Sequence, residues 1–215
     1  MYPTRIFADR STAGRALAER LLALRLADPV VLALPRGGVP VAVEVARALD
    51  APLDLVLVRK IGVPGQPEVA AAAVVDGGEA ELVVNDEIVG REAVGDAYLA
   101  AAAERQLAEI ERRRRVYLAG RRRLPLERRE VVVIDDGIAT GTTVKAALAA
   151  IRRKRPRRVV LAIPVAAVEA LDDLLPLADE IICLETPRPF RALSFSYRDF
   201  HQLTDDEVVD LLQEV

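Results

Sequence analysis

Short, near-continuous aliphatic runs alternate along this chain with longer segments of helical character. Five runs stand out: Val30 to Leu34, Leu53 to Val58, Val131 to Ile134, Val159 to Ile163 and Glu180 to Leu184. A strand buried on both faces reads this way, whereas a strand with one wet face alternates apolar and polar residues. Between the runs, Val39 to Leu49 and Thr142 to Arg153 each follow a glycine-containing turn and read as helices, and Val165 to Leu175 reads as a third after a strand ending at Pro164. Strand, helix, strand in repetition predicts an α/β fold: a mostly parallel sheet flanked by helices.

Two further short strands, Val69 to Val75 and Glu81 to Val84, flank Asp76-Gly77-Gly78, which has hairpin turn chemistry and predicts a flap. From Asp86 to Leu118 the pattern is helical. The last segment, Glu185 to Val215, holds Pro187, Pro189 and half of the aromatic residues, and Thr204-Asp205-Asp206-Glu207 there opens a short amphipathic helix with a capping box. It is expected to form a hood apart from the sheet. With 215 residues and no repeat or low-complexity linker, the expectation is one domain over residues 1–215 with residues 185–215 as a hood subregion.

Composition narrows the class. Hydrophobic residues are 52%, charged residues 29% and aromatic residues 4%, with no Trp, so the core must be aliphatic. One cysteine, Cys183, cannot form an internal disulfide, and one histidine, His201, cannot build a multi-histidine metal site, which excludes disulfide scaffolds and zinc hydrolases. No apolar run approaches the ~18 residues of a membrane span and the N-terminal stretch has no signal-like apolar region, so a cytoplasmic setting is expected. The net charge of −3 argues against an overall nucleic-acid footprint. Two arginine clusters, Arg112 to Arg115 and Arg121 to Arg123 with Arg128 and Arg129, and Arg152 to Arg158, read either as solvated or internally paired cations or as a nucleic-acid or partner surface.

The densest chemistry lies in Val131 to Thr143: a buried strand, the paired carboxylates Asp135 and Asp136, then Gly137-Ile138-Ala139-Thr140-Gly141-Thr142-Thr143 opening a helix. Small residues let backbone N–H groups approach an anion, and the helix N-terminus adds partial positive charge. Two acids at the strand end can accept hydrogen bonds from vicinal hydroxyls, so the spacing suits a sugar phosphate such as ribose 5-phosphate. No Walker loop and no dinucleotide fingerprint is present.

The stretch resembles the phosphoribosyl-pyrophosphate (PRPP) signature of the type I phosphoribosyltransferases, nearest to bacterial members of unassigned substrate. Two other loops carry the resemblance. Leu34-Pro35-Arg36-Gly37-Gly38-Val39 stands where the family has its pyrophosphate-binding loop, and Val58-Arg59-Lys60-Ile61-Gly62-Val63-Pro64-Gly65 is similar to the flexible loop of the adenine enzymes. Asp76 to Leu82 is similar to the acidic turn that follows that loop. Where the 6-oxopurine enzymes carry a third acid, this chain has Ala139, which disfavours hypoxanthine or guanine as acceptor.

The resemblance implies transfer of the 5-phosphoribosyl group from PRPP to a nitrogen acceptor, with pyrophosphate released. Arg59, Lys60, Asp135 and Asp136 would be the catalytic residues; Arg36, Gly37, Gly38 and the run Asp135 to Thr143 would hold PRPP. Mg²⁺ would be carried mainly by PRPP, with Asp135 the one protein carboxylate placed to touch it. Two alternatives stay open: a non-catalytic regulator that keeps the pocket to sense PRPP or a nucleotide, and a phosphatase or sugar-phosphate binding module that needs only the anion loop. Nucleic acid and membrane are not expected partners, and a homodimer is left open. His201 reads as packed or solvated.

Overall fold

A computed structural model describes residues 6–76 and 81–215. Five parallel strands form the main sheet: β1 (Pro29–Ala33), β2 (Leu53–Leu55), β6 (Glu130–Ile134), β7 (Arg158–Val165) and β8 (Glu180–Glu185), in the order β2-β1-β6-β7-β8. Their alternate residues feed two cores. Val31, Ala33, Val132, Ile134, Val160 and Ala162 face one side; Val30, Leu32, Val131, Val133, Val159, Leu161 and Ile163 face the other. Both sets are buried, which is why these runs are apolar throughout. Each such Val, Leu or Ile contributes roughly 1.5–3 kcal/mol by burial, so the central strand is the part least able to shift.

Helices α1 (Arg10–Leu22), α2 (Gly38–Leu49) and α7 (Asp205–Gln213) contribute to the first core, and α5 (Thr142–Arg153) and the short α6 (Val168–Asp172) to the second. Helix α1 was not expected from the sequence. Its buried face is mostly small, Ala13, Gly14, Ala16, Leu17, Ala18 and Leu21, so the apolar stripe is faint. A Cβ on Gly14 would come within 2.7 Å of the Val41 carbonyl oxygen, so the close approach of α1 to α2 depends on that glycine.

Three strands lie outside the parallel sheet. β3 (Val58–Val63), β4 (Gln66–Val75) and β5 (Glu81–Val84) form an antiparallel sheet in that order. The run Leu53 to Val58, expected as one strand, divides between the two sheets. Val56 N–H still donates to Ala33 in β1, at 2.9 Å, whereas the Leu57 carbonyl already accepts from Asp76 N–H, at 2.8 Å. Continuous apolarity marks burial on both sides of that switch and cannot show where the partner changes. The segment expected as a flexible Gly/Pro-rich loop is β3, a turn at Pro64-Gly65 with Gly65 at φ +78°, and the start of β4. The antiparallel pairing of β4 with β5 matches the expected hairpin; its turn residues 77–80 lie outside the described residues.

Two other expectations need correction. The helical stretch 86–118 is α3 (Asp86–Arg91) and α4 (Asp96–Leu118), separated by a turn in which Ala93 adopts φ +49°. Val165 belongs to β7, so the expected helix from that residue is reduced to α6 and a 3-10 turn, Leu175–Leu177. Pro164 does not end the strand, because its neighbours keep their bonds: the Val165 carbonyl accepts from Ile138 N–H at 2.9 Å, and Ala166 N–H donates to Glu185 at 3.1 Å. At the C-terminus the capping box is present, Thr204 and Glu207 bonding reciprocally ahead of α7.

Candidate functional site

The carboxyl ends of β1 and β6 lie side by side, so the two loops singled out in the sequence meet there. Leu34 N–H donates to the Ile134 carbonyl at 2.9 Å, which sets the first loop against the second. Gly38 is packed so closely that a Cβ would come within 2.7 Å of the Ile134 carbonyl oxygen, and a Cβ on Gly37 would fall 2.0 Å from Asp136 Oδ2. The glycines of Arg36-Gly37-Gly38 are therefore required by contact with the acid pair, beyond any turn they make. The peptide joining Pro35 to Arg36 is cis.

Asp135 is half-buried and its Oδ1 accepts from Asp136 N–H at 2.9 Å. Burial, and then the charge of Asp136, push its carboxyl well above the usual carboxylate range. Asp136 is buried, and its Oδ2 accepts from Arg10 Nε at 2.8 Å. Burial raises its pKa too, while the Arg10 guanidinium opposes the rise. The Asp136 carbonyl accepts from the Tyr197 hydroxyl.

Beyond the acids, Ile138 is buried and stitched to the next strand on both sides, its N–H donating to Val165 and its carbonyl accepting from Ala167 N–H, each at 2.9 Å. This leaves Ala139 and Thr140 exposed at the loop tip. Gly141, at φ +73°, turns the chain into α5 in a conformation that a side chain would strain. Thr142 and Thr143 begin α5, so free backbone N–H groups of its first turn face the same end of the sheet as Asp135. Gly137 lies under Leu193, whose Cδ2 would be 2.2 Å from an added Cβ. Leu193 is in the C-terminal segment, so residues after β8 close over this loop.

The expected site residues therefore fall into two groups. Gly37, Gly38 and Asp135 to Thr143 converge. Arg36 stands beside them, with Nη1 3.8 Å from Asp205 Oδ1 at the start of α7. Arg59 and Lys60 do not join them: both lie in β3, Arg59 Nε donates to Gln106 of α4 at 3.0 Å, and Lys60 is exposed. Among the described residues no hydrogen bond or ion pair connects either cation to loop 135–143. The sequence reading missed Arg10 and Tyr197, since the Arg10–Asp136 pair spans 126 positions and has no local signature.

Two cavities lie nearby, and neither is lined by residues 135–143. One, of about 390 Å³, is bordered by Asp9, Arg10, Pro40, His201 and Glu207, so it lies behind the Arg10–Asp136 pair. The other, of about 460 Å³, is bordered by Asp54, Asp76, Arg114, Arg123 and Lys154, under the second sheet. The arginine clusters are largely paired: Arg112 and Arg113 with Glu109, Arg114 and Arg123 with Asp76, Arg152 with Asp179, Arg153 and Lys154 with Glu81, and Arg158 with Glu180. Among the described residues no group of three or more His, Cys, Asp or Glu side chains is placed to hold a metal ion. No helix there is long and apolar enough to cross a membrane.

A mostly parallel sheet, an acid pair at the end of its central strand and a small-residue loop opening the next helix make up the type I phosphoribosyltransferase fold. Residues 9–185 match the phosphoribosyl transferase domain, and the chain belongs to that family. It is 47% identical over 208 residues, 97% of its own length, to a Mycobacterium tuberculosis protein named "Putative phosphoribosyl transferase Rv0571c". The match covers 46% of that relative, so this chain spans about half its length. Among solved structures, TT1426 of Thermus thermophilus is 45% identical with a TM-score of 0.85, covering 97% of this chain and 98% of that one. A Neisseria gonorrhoeae protein solved with bound ppGpp shares the fold at 14% identity and a TM-score of 0.50, covering 99% of this chain and 98% of that one.

Proposed function

We propose that the paired loops bind PRPP and that the chain transfers its 5-phosphoribosyl group to a nitrogen acceptor. The supporting observation is the fit of Gly37 and Gly38 against Asp136 and Asp135, which brings the glycine loop and the acid pair together at the carboxyl ends of β1 and β6. The 5-phosphate would lie on the backbone of Ala139 to Thr143 at the start of α5, and the pyrophosphate on Arg36, Gly37 and Gly38. Asp135, with Asp136 beside it, would face the ribose hydroxyls. In the reaction the bond from ribose C1 to the pyrophosphate oxygen breaks, a bond from C1 to the acceptor nitrogen forms, and the acceptor gives up a proton.

Mg²⁺ fits this donor set, because it binds through substrate phosphates and few protein carboxylates, and Asp135 is the carboxylate available here. When bound it would neutralise charge on the departing pyrophosphate. The residues themselves contribute position and dipoles: the glycine loop orients the leaving group, and the start of α5 fixes the phosphate at the other end. Arg59 and Lys60 would act on the leaving group only after the second sheet moves toward the loop. Ala139 in place of a third acid speaks against a 6-oxopurine acceptor. The proposal includes a cytoplasmic setting, in keeping with a lone Cys183, and no nucleic-acid partner, in keeping with the paired arginines.

The bond of Arg59 to Gln106 of α4 and the exposure of Lys60 favour one other reading, a sensor that binds PRPP without turnover. Calorimetry with Mg²⁺-PRPP, followed by a screen of nucleobases and related amines for PRPP-dependent pyrophosphate release, tests both. Binding with release supports the enzyme, binding without release supports the sensor, and no binding rejects the site.

A further inference from the structure

Arg10 is the first residue of α1, a helix whose first turn carries no acidic residue. A cation there opposes the positive end of the helix dipole, so local preference does not explain it. Its contacts do. Nε donates to Asp136 Oδ2 at 2.8 Å, Nη1 donates to the His201 carbonyl at 3.0 Å, and the guanidinium carbon lies 4.0 Å from the centroid of the Phe200 ring. The side chain is 9% exposed, as buried as the aspartate it holds.

The oxygen that Arg10 holds, Oδ2, is also the one packed against Gly37. The backbone of Asp136 is held separately, by the Tyr197 hydroxyl, and Tyr197 stacks on Phe200 with centroids 5.0 Å apart. One guanidinium thus connects the start of α1, the acid pair, the loop 35–38 and the C-terminal segment. Without it, a buried carboxylate next to a second carboxyl would have no countercharge and would have to turn away from its present position. Turning moves Oδ2, and Gly37 rests on Oδ2.

We infer that Arg10 is a positioning residue: it holds the Asp136 carboxylate against Gly37 and so sets the spacing between the loop 35–38 and Asp135. This rests on the PRPP reading for its effect on binding, but the effect on the loop itself does not. Arg10 touches no proposed substrate atom and acts through Asp136. Lysine could keep the charge, but it could not serve Asp136 and His201 from one planar fork while lying on Phe200.

The test compares R10Q, R10K, D136N and the double variant R10Q/D136N in the full chain. Calorimetry reads ribose 5-phosphate and Mg²⁺-PRPP binding, and hydrogen exchange without ligand reads residues 35–38. R10Q is expected to weaken both ligands about 10- to 100-fold, the scale of a small misplacement at a binding site, and to speed exchange in the loop. R10K should recover part of each. The double variant should bind no more weakly than the weaker single variant, because both substitutions remove one device. R15Q, which removes an exposed pair with Glu44 on the same helix, should change neither reading.

Parent-like binding and exchange in R10Q would overturn the inference, as would losses that multiply in the double variant. If the parent chain binds neither ligand, the PRPP reading fails, and the exchange measurement still decides whether Arg10 holds the loop. If R10Q does not fold, R10K decides by the same two readings.

Discussion

Two buried aspartates follow strands in this protein, and each is held by arginine, yet their surroundings differ. Asp76, just after β4, pairs with Arg114 at 2.9 Å and with Arg123, while Arg114 also lies 3.6 Å from Asp54. Two carboxylates face two guanidiniums, and the group is balanced within itself. Asp136 has one guanidinium, Arg10, for two adjacent carboxyls. That imbalance falls on Asp135, which is half-buried and faces loops whose backbone N–H groups suit anions. A balanced cluster holds α4 to the second sheet, whereas the unbalanced one is where the proposed ligand would lie.

The largest expected effect lies on the balanced side. Asp76→Asn leaves Arg114 mostly buried without its carboxylate, and breaking such a pair costs roughly 3–5 kcal/mol. Arg123 is 38% exposed and can turn to water, so the lower end of that range is expected. Urea unfolding should show this loss, while the folded variant should bind Mg²⁺-PRPP as the parent does. A variant as stable as the parent would show that the cluster contributes nothing net to the fold.

Asp135→Asn should show the opposite pattern. Because burial and Asp136 raise the Asp135 pKa, its charged form is disfavoured in the fold; a neutral amide should cost no stability and should raise the melting temperature slightly near neutral pH. As a hydrogen-bond acceptor for ribose hydroxyls the carboxylate contributes about 1.5–3 kcal/mol, so Mg²⁺-PRPP binding should fall about 10- to 100-fold. Binding like the parent's would remove Asp135 from the site, and a large loss of stability would place it with Asp76 as a structural group.

This contrast also separates what the sequence made legible from what it did not. The parallel strands and the acid loop could be read because each is a contiguous pattern, set by burial on two faces and by close backbone approach. The division of Leu53 to Val58 between two sheets could not, since both halves are equally buried. Helix α1 was hidden because close packing on α2 requires Ala and Gly where a stripe of Leu would have been visible. The balance of charge around each aspartate was the least legible feature: Arg10 is far from Asp136 in sequence and Arg114 far from Asp76, and neither sits in a motif. Arg59 and Lys60 show the converse, a sequence pattern that resembles the family's, while Arg59 bonds to Gln106 of α4 and Lys60 is exposed on β3.

Those two cations give the next test. If they act on the leaving group during closure, Arg59→Ala/Lys60→Ala should lower turnover on an identified acceptor about tenfold, corresponding to about 1.5 kcal/mol of charge-assisted bonding. Ribose 5-phosphate binding should stay unchanged, because among the described residues neither cation bonds to the acid loop and Arg59 is held by Gln106. Unchanged turnover would leave them as surface cations of the second sheet, and weaker ribose 5-phosphate binding would mean that they reach the loop without closure.

The smallest effect is expected at His201, on the rim of the unbalanced cluster. Its carbonyl accepts from Arg10, while its ring points outward, Nδ1 3.1 Å from Asp199 Oδ1 and Nε2 3.0 Å from Glu207 Oε1. Arg10 from α1 and Asp9, Asp210 and Glu214 border the same cavity, so acidic groups predominate around it. The hydrogen bonds to Asp199 and then Glu207 raise the His201 pKa above 6.5. A histidine raised in this way stabilises the fold fully below its unfolded pKa, and that contribution is lost as pH rises through the folded value. Since His201 is the only histidine in the chain, an NMR titration follows one imidazole without assignment by mutation, and it should titrate above 6.5. Asp199→Asn should bring it back toward that value. The ring is exposed and bonded to Asp199 and Glu207, outside the loops 35–38 and 135–143, so Mg²⁺-PRPP affinity should not follow this titration. If affinity did change with the protonation of His201, the rim and the acid pair would be one coupled unit, and the outward side of the cluster would belong to the site.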